Sequence, residues 1–232
     1  MKKMIYSLLA LPLLIMSSCS EDKFNDVEPV ATGTVTDAEG NVYNWVQIGD
    51  QQWTTTNAMG GEPVGEMSYV NNLGYTYDVF SESKAENLEK EYYPVYGNLM
   101  SIEDALESAP EGWRLPTDED WNRLERAYGV KNPQDKGMQA SGIASKMMNP
   151  DGLNLLLGGA ILVGKSYGSE NYRLLRVNSM GYYWTATEDT SREDVDNKYY
   201  YYRRIDSYTG SIDRESMVTR VRFSVRWVRD AK

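Results

Sequence analysis

The chain has 232 residues with 34 acidic and 24 basic side chains, a net charge of −10, no histidine and one cysteine. That balance disfavours nucleic-acid binding through general electrostatics, and the missing histidines exclude serine–histidine triads, histidine general bases and most zinc sites. Eighteen tyrosines and six tryptophans suit either an aromatic recognition surface or an aromatic β-sheet core.

The first residues give an address. Lys2 and Lys3 precede a short apolar run from Ile5 to Met16, too short to span a bilayer and patterned as a secretion signal. The run ends in Met16-Ser17-Ser18-Cys19, which resembles a bacterial lipobox with Cys19 as the acylated first residue of the mature protein. Residues 1–18 are therefore expected to be a signal peptide and residues 19–31 a lipidated, acidic, flexible tether. The cluster Ser20-Glu21-Asp22 resembles the surface-export signal of Bacteroidetes lipoproteins, so the expected location is the outer membrane with the domain exposed at the cell surface. With Cys19 acylated, the folded part has no thiol chemistry and no intrachain disulfide.

Residues 32–232 read as one domain without a fixed-period repeat. Thr32 to Thr54 form a β-meander: Thr34-Val35-Thr36, a turn at Asp37–Asn41, a strand through Val42, Tyr43, Trp45, Val46 and Ile48, and a return through Gln51–Thr54. Gly60 to Lys90 is an irregular excursion with a short helix expected near Ser83 to Lys90. A first main helix is capped by Ser101, with Asp104 at the third position, an apolar face of Ile102, Ala105 and Leu106, and a stop before Pro110.

The stretch Gly112-Trp113-Arg114-Leu115-Pro116-Thr117 then enters the second main helix, Asp118 to Tyr128. Thr117 caps it, Asp120 completes a capping box, and Asp118, Glu119 and Asp120 suit the positive helix end. Trp121, Leu124 and Tyr128 share one face and Gly129 supplies the stop. Lys131 to Pro150 is polar, with a helical turn at Ile143–Met148. Strands are expected at Leu153–Leu157, Ala160–Val163, Tyr172–Val177, Tyr182–Ala186, Tyr199–Ile205 and Met217–Val228. In the last, Val221, Phe223, Val225 and Trp227 share the core face, and Arg220, Arg222 and Arg226 are expected on a solvated face.

Three groups of residues carry a family resemblance. Asp37–Tyr43 with Ile48-Gly49-Asp50-Gln51-Gln52-Trp53 resembles the opening of the Fibrobacter succinogenes major paralogous domain. Tyr96-Gly97, Gly112–Thr117 and Trp121 resemble its centre, and Gly181–Glu188 with Ser224-Val225-Arg226 resemble its end. Such domains occur on secreted and lipid-anchored proteins of Fibrobacter and Bacteroidetes. The central motif is also similar to the Arg-Leu-Pro-Thr helix entry of formylglycine-generating-enzyme-like proteins, which have a C-type-lectin-like fold. The resemblance implies an α+β, C-type-lectin-like domain with two main helices and antiparallel strands, preceded by a β-meander, with Trp113, Arg114, Pro116, Thr117, Trp121 and Trp184 as structural motif residues. Relatives commonly carry cysteines where this chain has Ala109 and Trp227, which implies that these positions face each other. Neither the cysteine chemistry of the formylglycine enzymes nor the lectins' calcium-and-sugar motifs are present.

Fold alone does not assign function. The candidate ligand-binding residues are Tyr200 and Tyr202, read as outward aromatics, with the loop carboxylates Glu188, Asp189 and Asp194; Glu193 and Asp196 join that loop as oxygen donors for calcium. Calcium at this loop is the less favoured alternative: no cofactor, no metal and no catalytic residue is expected. Gly158-Gly159 lacks the context of a phosphate loop and reads as a structural turn. The expected function is a non-catalytic recognition module for a glycan or protein ligand. The alternatives are an assembly subunit of an outer-membrane complex or adhesive appendage, and a hydrolase built on paired carboxylates.

Overall fold

The computed structural model describes residues 24–64, 68–70, 76–77, 91–166, 168–192, 194 and 196–232. The signal peptide, Cys19 and the helix expected near Ser83–Lys90 lie outside the described residues. What is described is a β-rich mixed fold of three sheets and four short helices.

The meander forms as read: β1 (Ala31–Thr36), β2 (Val42–Ile48) and β3 (Gln51–Thr54) pair antiparallel in order. It is not an appendage. The last strand of the chain, β13 (Val228–Asp230), pairs with β3, so the sheet order is β1-β2-β3-β13 and the meander is stitched to the chain's other end. A second sheet, β6-β11-β10-β9, is built from Gly137–Ala140, Ser211–Val218, Tyr199–Asp206 and Met180–Glu188. A third runs β12-β7-β8-β4-β5, from Val221–Arg222, Ala160–Ser166, Ser169–Leu175, Ser68–Val70 and Thr76–Tyr77. Only the β4–β8 pairing is parallel within these sheets.

Helix α1 (Tyr93–Tyr96) is a single turn. Helix α2 (Ile102–Glu107) starts where Ser101 accepts from the Asp104 N–H; Ile102 and Ala105 are buried, whereas Leu106 is 45% exposed and does not join the apolar face. Helix α3 (Asp118–Ala127) has the full capping box: Thr117 Oγ1 accepts from Asp120 N at 3.1 Å, and Asp120 Oδ2 accepts from Thr117 N at 2.7 Å. Gly129 follows with φ of 97°, the left-handed stop. Helix α4 (Ile143–Met147) is the expected helical turn.

Two clusters make most of the core. In one, Trp121 and Leu124 of α3 meet Val46, Trp53, Tyr183, Ile205 and Ile212, with the Trp53 and Trp121 rings 5.0 Å apart. The other gathers Tyr43, Trp113, Trp184, Val221, Phe223, Val225 and Trp227, with Ala109 packed against it. Ala109 and Trp227 thus belong to the same cluster.

Three expectations are corrected. Leu153–Leu157 is irregular chain, not a strand, and Asn154 within it has φ of 53°. Gly137–Ala140 is a strand inside the segment read as merely polar; it adds to the edge of a sheet through β11. Met217–Val228 is not one strand: β11 and β12 end at Val218 and Arg222, and 223–227 is buried on both sides. Val221, Phe223, Val225 and Trp227 are core, but Ser224 and Arg226 on the other side are also inaccessible. Gly159 shows why a turn glycine is needed there: at φ of 75°, a Cβ would lie 2.2 Å from the Leu175 carbonyl oxygen.

Asp120 ties helix entry to the meander. Besides its cap bonds it accepts from Arg114, from Arg123 at 2.7 Å and from Gln51 at 3.1 Å. Burial alone would raise its carboxyl; hydrogen bonds from Arg114, Thr117 and Arg123 outweigh that and hold it well below the usual carboxylate range. Asp120→Ala should cost about 2 kcal/mol in urea unfolding at pH 7, the upper range for a lost cap. Because the folded value is depressed, this advantage is present above about pH 4 and is lost as pH falls toward the folded value. A difference from wild type that is flat between pH 7 and pH 3 would contradict it.

Candidate functional site

Glu188, Asp189 and Asp194 lie where β9 and β10 meet the loop between them, and each of these three carboxylates is already engaged. Asp189 is buried and accepts from Ser191, from Tyr201 at 2.9 Å and from Lys136 at 3.1 Å. Burial would raise its carboxyl, but bonds from Ser191, Ser216, Lys136 and Tyr201 hold it well below the usual range. Glu188 lies 3.6 Å from Lys198. Asp194 caps its own turn through the N–H groups of Asp196 and Asn197 and takes the Tyr199 hydroxyl at 3.2 Å. Glu193 lies outside the described residues. Among the described residues, no group of three or more histidine, cysteine, aspartate or glutamate side chains is placed to hold a metal.

The tyrosine run faces the opposite way from the expectation. Tyr202 is 4% exposed and packs with Tyr182 and Phe223 in the core, and Tyr200 lies half-buried against the same cluster. A register shift in the β9–β10 pairing falls between Tyr200 and Tyr202. The partly exposed ring beside the loop is Tyr201, with the Arg214 guanidinium 3.8 Å from its centroid. Behind it, Arg214 pairs with Asp118, and Arg203 joins Asp118 to Glu125 and Asn122. This is a continuous charged spine from the loop to α3, and its charges neutralise one another. Trp113, Trp121 and Trp184 are buried, and the Trp184 indole N–H donates to the Met100 carbonyl at 3.0 Å. Arg114 and Thr117 serve Asp120, and the Pro116 carbonyl accepts from Ala186 N.

A different place is open. A cleft of about 290 Å³ lies between the β7–β8 hairpin and the segment Thr219–Arg222, with Ser101 at one side. Lys165, Glu170, Tyr172, Arg220 and Arg222 line it. The Tyr172 hydroxyl donates to Glu170 at 2.5 Å, and that bond with the adjacent negative charge pushes the hydroxyl's pKa up. Arg222 is tied down: it donates to the Glu62 carbonyl at 3.0 Å, approaches Asp104 at 3.9 Å and lies 5.9 Å from the Tyr172 ring centroid. Lys165 and Arg220 are exposed, and among the described residues neither side chain has an ion pair or hydrogen bond. The cleft therefore presents two uncommitted cations beside a tyrosine ring on a protein of net charge −10. Arg220 and Arg222 stand out in the sequence only as residues of a solvated face. Lys165 and Tyr172 do not stand out, because only the hairpin pairing brings them to Arg220.

The model of the Fibrobacter succinogenes major domain family matches residues 46–229. No curated protein and no solved structure matches the chain.

Proposed function

The chain belongs to the Fibrobacter succinogenes major domain family, and we propose that it is a non-catalytic recognition module, anchored through acylated Cys19 at the cell surface. Its ligand is a glycan or protein carrying an acidic group, taken in the cleft between the β7–β8 hairpin and Arg220. The observation that carries this reading is the pair of exposed cations, Lys165 and Arg220, which make no ion pair or hydrogen bond among the described residues, beside Tyr172. Exposed charges of one sign normally find opposite partners on so acidic a chain. A tyrosine face suits an apolar ring surface next to the charge.

The non-catalytic part is supported by how the carboxylates are used. Asp118, Asp120, Glu125, Asp189 and Asp213 are all paired with arginine or lysine, and Glu170 is the one carboxylate lining the cleft. Among the described residues, no second carboxylate lines the cleft to complete an acid–base pair. Among the described residues, the exposed large apolar or aromatic side chains Val30, Val42, Met59, Val95, Leu106, Met138 and Tyr208 are spread along the chain, which gives no support to an assembly face. We also propose the finer, C-type-lectin-like architecture: α2 and α3 precede the glycine-rich turns and the late antiparallel strands.

The test is a glycan array and whole-cell pull-down with the soluble domain, followed by titration of an acidic polysaccharide against a neutral one. Binding should favour the acidic chain and fall with salt, as exposed ion pairs do. Lys165→Ala with Arg220→Ala should weaken it by about 1–2 kcal/mol, roughly 5- to 30-fold, as loss of two exposed charge contacts implies. Binding that is unchanged in this double variant would overturn the assignment of the cleft.

A further inference from the structure

Phe24 marks where the described chain leaves the domain toward Cys19, and it leaves from one defined face. The stretch expected to be a free tether is pinned from this residue on. The Asn25 backbone N–H donates to the Tyr128 carbonyl at 2.9 Å, and the Asn25 amide donates to the Ala127 carbonyl at 2.9 Å. A helix end leaves its last carbonyls without intrahelical partners, so this strand caps the end of α3. Phe24 and Val27 pack against the core cluster that holds Trp121, and Asp26 pairs with Lys146 of α4.

The same face continues into the turn between β10 and β11. A Cβ at Gly142, the first residue before α4, would lie 4.0 Å from the Phe24 ring. The Gly142 N–H donates to the Gly210 carbonyl at 2.8 Å. Two residues before Gly210 stands Tyr208, 96% exposed, the most accessible of the large apolar or aromatic side chains described. The turn beneath it is held: Asp206 Oδ1 accepts from the N–H groups of Tyr208 and Thr209.

We propose that this face, formed by the end of α3, the start of α4 and the Ser207–Gly210 turn, lies against the bilayer that carries the Cys19 anchor, with Tyr208 in the headgroup zone. The proposal rests on the lipoprotein reading above. Phe24 is five residues from Cys19, a reach of at most about 18 Å even when fully extended. The exit point of the domain is therefore confined to that distance from the acylated residue. With a net charge of −10, the domain gains nothing by electrostatic adhesion to anionic lipid. The pinned exit sets its orientation instead. A tyrosine with an apolar ring and a polar tip is suited to the membrane–water interface.

The experiment uses the full, lipidated protein in phosphatidylethanolamine–phosphatidylglycerol vesicles containing a headgroup spin-labelled lipid. Acylated Cys19 leaves no free thiol, so Tyr208→Cys or Ala38→Cys gives one fluorophore site each. Ala38 sits in the turn at the far end of β1, six strand residues from Val30, or roughly 20 Å along the strand. The label at position 208 should be quenched more strongly than the label at 38. In Phe24→Ala/Asn25→Ala, shown folded by circular dichroism, the two labels should converge while the protein stays membrane-bound. Equal quenching in the otherwise native chain, with Cys19→Ser released from membranes, overturns the orientation alone. Undiminished acylation and membrane binding of Cys19→Ser overturns the anchor and the orientation together.

Discussion

Arg226→Leu should destabilise the domain by at least about 3 kcal/mol, because three buried acceptors would each lose a donor at a cost of about 1–3 kcal/mol. Arg226 is fully buried and, among the described residues, pairs with no carboxylate. Its guanidinium donates to Asn57 Oδ1 at 2.6 Å, to the Thr54 carbonyl at 2.7 Å, to the Leu153 carbonyl at 3.0 Å and to the Asn154 carbonyl. It thereby joins the end of β3, the irregular 153–154 chain and the final segment. Burial pushes the guanidinium's pKa down, yet arginine starts so far above neutrality that it stays charged. The fork can satisfy acceptors in several directions, whereas a lysine ammonium is a single compact point. Arg226→Lys should therefore recover only part of the loss. The measurement is urea unfolding followed by circular dichroism. A cost below about 1 kcal/mol for Arg226→Leu, the level of an ordinary surface change, would show that these carbonyls have other donors.

This arginine also shows where the sequence stops being informative. Strict alternation from Arg220 to Trp227 separates apolar from charged residues, and period two read alone assigns the arginines to solvent. Alternation cannot tell a solvated face from a second buried face that consists of backbone carbonyls needing a cation. The same blindness affects Tyr199–Tyr202, where four identical residues carry no parity, so nothing in the run says that Tyr202 is inside. Where chemistry is local, the reading holds: Thr117 with Asp120, Ser101 with Asp104 and Gly129 are each within four residues of their partners, and all three form as expected. The pairing of β13 with β3 joins residues about 175 apart in sequence by a register that no local pattern encodes. The cleft is hidden for the same reason. Lys165 and Tyr172 lie on a hairpin and Arg220 in a later segment, and only tertiary pairing makes them neighbours.

Arg203→Leu should cost about 3–5 kcal/mol at neutral pH, the range for breaking a buried ion pair from one side. Arg203 is fully buried and donates to Glu125 Oε1 at 2.5 Å, Asp118 Oδ1 at 2.7 Å and Asn122 Oδ1 at 2.8 Å. Asp118 keeps a second partner in Arg214, at 2.8 Å. Among the described residues Glu125 has no other ion-pair partner, and its Oε2 has no hydrogen-bond partner, so the variant strands a carboxylate in the core. Burial already pushes the Glu125 carboxyl up against the pull of Arg203; without Arg203 it rises further. A carboxyl whose folded pKa lies above its unfolded value binds more protons in the native state, so stability falls as pH rises between the two. The penalty for Arg203→Leu should therefore be smaller at pH 5 than at pH 8. Adding Glu125→Leu should recover much of the loss and abolish that pH dependence, because an apolar pair of similar volume often replaces a buried ion pair without cost. A double variant less stable than Arg203→Leu alone, with the pH dependence intact, would mean that the penalty arises from packing and not from the stranded charge.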